Sequence, residues 1–231
     1  MKSRFPAAAV AVIAFLLVPG ARSLVGVELA PGNAPAVLYP AGAASAALSA
    51  AAERAGLRAS VLDLAVQAHR RVAAHGRTTS PLLTVIDYTL PSRAKRFWVL
   101  DLDRDSVLVR ELVAHGRNSG GDLATRFSND PGSNQSSLGT FVTGTTYVGA
   151  HGLSLRLVGL DPGINDNALE RAIVMHGADY VNADIVHSLG RLGRSLGCPA
   201  LATDVAPRII DLIKDGTVMF VFGRREGGRT G

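Results

Sequence analysis

The stretch Leu153-Ser154-Leu155-Arg156-Leu157-Val158 decides the fold class. Three leucines alternate with Ser154, Arg156 and Val158. A period of two sends alternate side chains to opposite faces, which is the pattern of a half-buried β-strand. On either side lie further short β-type runs: Leu82–Asp87, Phe97–Asp101, Val107–Ala114, Thr140–Val148, Ile173–His176 and Thr217–Phe222. Gly and Asn turns break them, and no alternation of strand with helix appears, so a doubly wound parallel sheet is not expected. A late helix is expected from Asp204 to Lys214, with Asp204 as N-cap, Pro207 tolerated in the first turn and Gly216 as the stop. The fold expected for residues 80–223 is therefore mainly β with a late helix, and residues 224–231 read as a flexible tail.

Ahead of the strands the texture differs. Alanine dominates from Ala41 to Ala55, with Gly56 as a helix stop. Val61, Leu64, Ala65, Ala68 and Val72 then recur at helical spacing up to Gly76. Residues 41–79 thus predict an α-helical hairpin packed on the β-rich region, with Arg70 and Arg71 on a solvated face. Residues 24–40 are Gly/Pro/Ala-rich without a period and read as a linker. Residues 1–23 carry Lys2 and Arg4, an uncharged apolar run from Pro6 to Val18, and small residues around Arg22. That is the anatomy of a secretory signal, and the run is shorter than the roughly 20 residues a membrane-spanning helix needs. The alternative is an uncleaved N-terminal anchor; the location expected either way is exported, in the periplasm or cell envelope.

This segment changes what the composition says. The 231 residues carry 24 basic and 19 acidic side chains, a formal charge of +5 that would favour an anionic partner. Without Lys2, Arg4 and Arg22 the 24 become 21 and the balance falls to +2. Neither a Lys/Arg stripe nor basic-aromatic interleaving remains, so no nucleic-acid partner is expected. The single cysteine excludes an internal disulfide and a Cys-rich zinc site.

Three motif matches fail on their mechanics. Asp101, Asp103 and Asp105 start like a calcium loop, but the sixth position is Ser106 and the twelfth Leu112, so the segment reads as a hairpin turn. Ser92-Arg93-Ala94-Lys95 lacks the Ser-Asp-Asn and Lys-Thr-Gly partners of penicillin-binding proteins. Gly193-Arg194-Ser195-Leu196-Gly197 has no histidine after it to serve a nucleophile elbow, since the last one is His187. His115 and His151 with Cys198 lack close ligand spacing, so no metal is expected. His69, His75 and His187 read as surface or helix-end residues.

A thiol with a histidine upstream remains. Cys198 comes directly after the glycine-punctuated segment Gly190-Arg191-Leu192-Gly193-Arg194-Ser195-Leu196-Gly197, where backbone N–H groups can turn inward. His176 ends an apolar strand, and a Cys–His pair is the minimal activated nucleophile for acyl transfer. Taken alone, a buried structural cysteine and a satisfied core histidine compete with that reading.

The segments His176-Gly177-Ala178-Asp179-Tyr180-Val181 and Gly190 through Cys198-Pro199-Ala200-Leu201 resemble the murein L,D-transpeptidase catalytic domain family, which is related to YkuD-type enzymes. The resemblance runs in order through Leu90-Pro91-Ser92, residues 113–120, 127–129, 135–139, 152–157 and 165–174. It implies a YkuD-like mixed β-sandwich or barrel and a cofactor-free acyl transfer on peptidoglycan stem peptides. Carried onto this chain, Cys198 attacks the carbonyl before the terminal D-Ala and His176 is the base. Ser195 and Gly197 match the Ser-x-Gly-Cys pattern and help form the oxyanion site. Many YkuD-type sites place Arg directly after the cysteine, where this chain has Pro199. The substrate-gripping role is therefore assigned to Arg194, with Arg191 behind it and Tyr180 and Gly177 beside the histidine. An L,D-carboxypeptidase sharing the thioester and a non-catalytic wall-binding module are the alternatives. Asn165, Asp166 and Arg171 are expected to fix the loop that enters the His176 strand.

Overall fold

The computed structural model describes residues 44–224; the expected signal 1–23, the linker 24–40 and all of the expected tail but Arg224 lie outside the described residues. Twelve elements are arranged in chain order: α1 Ala46–Arg54, α2 Ala59–Ala74, β1 Leu82–Asp87, β2 Phe97–Asp101, β3 Ser106–Glu111, β4 Gly139–Gly149, β5 Gly152–Gly159, β6 Val174–Ala178, α3 Ala183–Leu189, β7 Ala200–Ala202, α4 Ala206–Ile213 and β8 Val218–Phe222. The strands form one mixed sheet in the order β3-β2-β1-β8-β4-β5-β6-β7. Within it, β1 with β8 and β6 with β7 pair in parallel, and the other neighbouring strands are antiparallel. The mainly β expectation holds, with the helical pair in front and the late helix α4 behind.

Central strands are apolar on both faces because both faces are covered. In β8, Val218, Phe220 and Phe222 join Leu83, Val85, Trp98 and Leu100 under the α1–α2 pair. Met219 and Val221 face the other way, with Ile86, Phe97, Val99 and α4. In α4, Ile209, Ile210 and Ile213 are fully buried, each contributing about 1.5–3 kcal/mol of transfer free energy. Leu155 and Leu157 of β5 and Met175 of β6 belong to this α4 side. The pairing Ser154↔His176 therefore puts His176 on the opposite face, the one that α1 and α2 cover at the far end of the sheet.

Gly56 (φ +74°) and Gly76 (φ +66°) stop the two N-terminal helices in the left-handed region. Three expectations need correction. Asp204 does not cap α4: the helix begins at Ala206, and Val205 precedes it without a side-chain cap. His69 is buried, because it falls on the α2 stripe of Val61, Leu62, Ala65 and Val66, and its Nε2 meets the Ser80 carbonyl at 2.8 Å. Arg71 does not face solvent alone, since it donates to Thr140 Oγ1 and Asp161. The Asp101 segment is the hairpin turn expected, with the Asp101 carboxylate accepting from the backbone N–H groups of Asp103 and Arg104. No helix among the described residues is long and apolar enough to cross a membrane.

Candidate active site

The site is assembled at the β5-β6-β7 end of the sheet. Strand β7, three residues long, runs parallel to β6 with His176 opposite Ala200. Cys198 lies two residues before Ala200, so the ladder brings it alongside β6. The Val174 N–H points at its sulfur at 3.5 Å, and the thiol donates to the Ala172 carbonyl at 3.7 Å. Val174 and His176 are two apart on one strand and share a face. Ala172 holds a left-handed φ of +54°, and this turn aims its carbonyl at the thiol.

On its other side the Cys198 loop is laced to residues 114–117. Ala114 bridges Ala200, the Ser195 N–H donates to the His115 carbonyl, and the Arg117 N–H donates to the Ser195 carbonyl. Ser136 ties both segments, accepting from the Gly116 N–H and donating to the Gly197 carbonyl, each at 3.0 Å. Gly197 has φ +127°, and a Cβ there would meet the Gln135 carbonyl at 2.9 Å. The Ser195 hydroxyl donates to the Cys198 carbonyl at 2.6 Å and accepts from the Gly197 N–H at 3.1 Å. The Gly197 N–H is thus already engaged, while the backbone N–H of Cys198 favours the thiolate.

His176 is buried, and its Nδ1 lies 2.9 Å from the Gly177 carbonyl. With Nδ1 donating to that oxygen, the lone pair sits on Nε2. Burial lowers its proton affinity; the Gly177 bond opposes this and His151 adds to it. Burial likewise pushes the Cys198 thiol up, against the Val174 N–H and the charge of Arg171. The two shifts make neutral thiol and neutral imidazole the resting pair.

The other expected site residues fall in several places. Arg194 donates to the Gly120 carbonyl at 2.8 Å and to that of Arg117 at 3.4 Å, with the rest of its side chain exposed. Arg191 donates to the Leu192 carbonyl. Tyr180 packs where Gly193 has no side chain; its phenol is pushed up to about 12 by burial and by the nearby Cys198. A Cβ on Gly177 would point at Thr203 and Ala206, so that glycine allows α4 to approach.

Arg171 is the cation at the thiol. Its guanidinium donates to the Ser128 and Gln135 carbonyls and to the Ser133 and Ser137 hydroxyls, and one nitrogen lies 3.6 Å from where a Gly197 Cβ would stand. It fixes the loop, as expected of it, and also acts on the sulfur. Its distance of 27 positions from Cys198 hid the second role; only the family segments touched it. Asn165 holds its loop by donating to the Leu138 and Thr140 carbonyls. His115 lies deeper, fully buried, with Nδ1 2.8 Å from the guanidinium of buried Arg96. Among the described residues no three His, Cys, Asp or Glu side chains converge as metal ligands.

A model of the L,D-transpeptidase catalytic domain matches residues 53–222, nearly three quarters of the chain. The chain belongs to the L,D-transpeptidase catalytic domain family. The match takes in α2 as well as the strands and the Cys198 loop. A search of curated protein sequences returned no match. Among solved structures, an L,D-transpeptidase from Mycobacterium smegmatis aligns with TM-score 0.39 and 17% identity over 62% of this chain and 58% of its own. The helical cell shape determining protein Pgp2 from Campylobacter jejuni aligns with TM-score 0.41 and 11% identity over 71% and 58%. An L,D-transpeptidase from Xylanimonas cellulosilytica aligns with TM-score 0.34 and 14% identity over 75% and 78%. The alignment thus spans 58% of the length of the first two relatives.

Proposed function

We propose that this chain is a peptidoglycan L,D-transpeptidase working through a thioester on Cys198. The observation that carries the reading is the seating of the sole cysteine against Val174, on the strand that bears His176, in a chain of this family. Both groups rest neutral, so the thiol proton passes to His176 Nε2 as sulfur attacks the stem-peptide carbonyl that precedes the terminal D-Ala. The oxyanion is met by the Cys198 N–H, with Gly197 and Ser195 holding the loop that aims it. The C–N bond breaks, D-Ala leaves with the proton from His176, and the acyl group remains on sulfur. An acceptor amine then loses its proton to His176 and attacks the thioester; the C–S bond breaks, the departing Cys198 sulfur takes the proton back from His176, and the new amide is the 3→3 cross-link. Arg194 offers its exposed guanidinium edge to the stem carboxylate, with Arg191 behind it. Tyr180, held protonated, donates a hydrogen bond to the stem beside Gly177. This substrate places the working protein outside the cytoplasmic membrane, in keeping with the export signal read at residues 1–23.

The test is incubation of the chain lacking residues 1–23 with disaccharide-tetrapeptides, and mass spectrometry of the products. Cross-linked dimers minus D-Ala are expected. Tripeptide alone would move the assignment to L,D-carboxypeptidase. No product and no Cys198 adduct with a carbapenem would overturn both and leave a wall-binding module.

A further inference from the structure

The β4–β5 hairpin turns at Ala150–His151 and pairs out to Gly149↔Gly152. Because β5 pairs with β6 as Ser154↔His176, the turn overhangs the end of β6, with His151 three residues before the partner of His176. The imidazole of His151 comes back over that of His176, with ring centroids 4.4 Å apart and planes at 22°. His151 itself is exposed. A solvent-facing ring laid flat on a buried base is not needed to complete any core cluster among the described residues.

We propose that His151 is a positioning residue for His176: its ring covers one face of the imidazole and holds the plane in which Nδ1 meets the Gly177 carbonyl and Nε2 is left for the thiol proton. This rests on the Cys–His acyl-transfer reading. Stacking restricts rotation about the last side-chain bond, the one torsion the Gly177 hydrogen bond fixes only at one end. Burial lowers the proton affinity of His176, and the charge of His151, its ring 4.4 Å away, lowers it further, so the base stays neutral to lower pH. Other groups around His176 are Ser154 and Arg156 on β5, Ala200 on β7, Cys198 on the nucleophile loop, and Asp179 and Tyr180 beyond β6. Arg156 is turned onto the Tyr147 ring, 4.6 Å from its centroid, and His151 is the charge that acts on His176.

Because Cys198 is the single cysteine, its alkylation by iodoacetamide reads the pair without any peptidoglycan substrate. The rate is measured against pH for the wild type, His176→Ala, His151→Ala and His151→Phe. His176→Ala is expected to remove the acid limb that begins below neutrality; if that limb persists, the Cys–His reading itself fails. Given that loss, His151→Ala is expected to lower the rate near neutral pH at least threefold and to move the limb up by about half a pH unit, a threefold change on the limb. His151→Phe keeps a flat ring without charge. It is expected to restore the neutral rate to within twofold while the limb stays displaced. Wild-type profiles in both His151 variants, or equal loss of neutral rate in both, would overturn the proposal.

Discussion

The hydroxyl of Ser195 donates to the Cys198 carbonyl at 2.6 Å and accepts the Gly197 N–H at 3.1 Å, closing a clasp around the residue that precedes Cys198. Ser195→Ala removes both bonds and strands a buried N–H, a cost of about 1–3 kcal/mol. The variant is expected to unfold at lower urea and to acylate with a carbapenem at least tenfold more slowly, as the freed loop no longer aims the Cys198 N–H. Intact-mass kinetics measure the second effect, and an unchanged rate would separate the clasp from catalysis.

Arg171 combines a charge and a brace. Arg171→Gln removes the cation that opposes the burial of the Cys198 thiol, so the thiol titrates higher and alkylation near neutral pH slows. Arg171→Lys keeps the charge but cannot reach the four acceptors together. The lysine variant is expected to recover the thiol titration more fully than the loop's stability. If the thiol titration is the same in Gln and Lys variants, the charge is not what acts on the sulfur.

Acid stability has a traceable source in His115. Burial and then the charge of Arg96 lower it from 6.5 to about 3, which favours the neutral ring in the folded chain. The unfolded chain takes up the proton at the ordinary value, so this contribution is full above 6.5 and is lost as pH falls toward 3. Within that window the loss reaches up to about 1.4 kcal/mol per pH unit. His115→Gln, which can still accept from Arg96, is expected to flatten urea-unfolding stability across the window; an undiminished slope would place the acid sensitivity elsewhere.

Two glycines separate backbone strain from crowding. Gly76→Ala meets nothing within 4 Å and carries only the cost of a left-handed alanine, about 1 kcal/mol. Gly197→Ala adds contact with the Gln135 carbonyl and Ile173 beside Cys198. The first is expected to leave carbapenem acylation within twofold of wild type and the second to lower it at least a hundredfold. Equal acylation in the two variants would show that the loop absorbs the added methyl.

Strands β1 and β2 have the ends expected of them, because each is a mostly apolar run, broken only by Thr84 in β1, that closes on an aspartate. The Gly56 and Gly76 stops were equally legible, since a left-handed helix end asks for glycine. Strand β7 was not: three residues, Ala200–Ala202, are too few to show a period. Helix α3 buries none of its residues and so has no apolar stripe to read, although Asn182 caps it and Gly190 ends it. Without β7 and its parallel pairing, nothing in the order of residues says that Cys198 lies against the strand of His176.

Local chemistry, then, was determined by the sequence: one thiol in a glycine-rich loop, a histidine at a strand end, and alternating leucines that require a covered sheet. Those depend on residue type and short spacing. The tertiary structure decided the neighbours. It set Arg171 rather than an arginine next after the cysteine at the sulfur, engaged Arg194 with the Gly120 carbonyl, buried His115 on Arg96 and laid His151 over His176. Each pairing joins segments far apart in the chain, and strand register, which spacing along the sequence does not encode, brings them together.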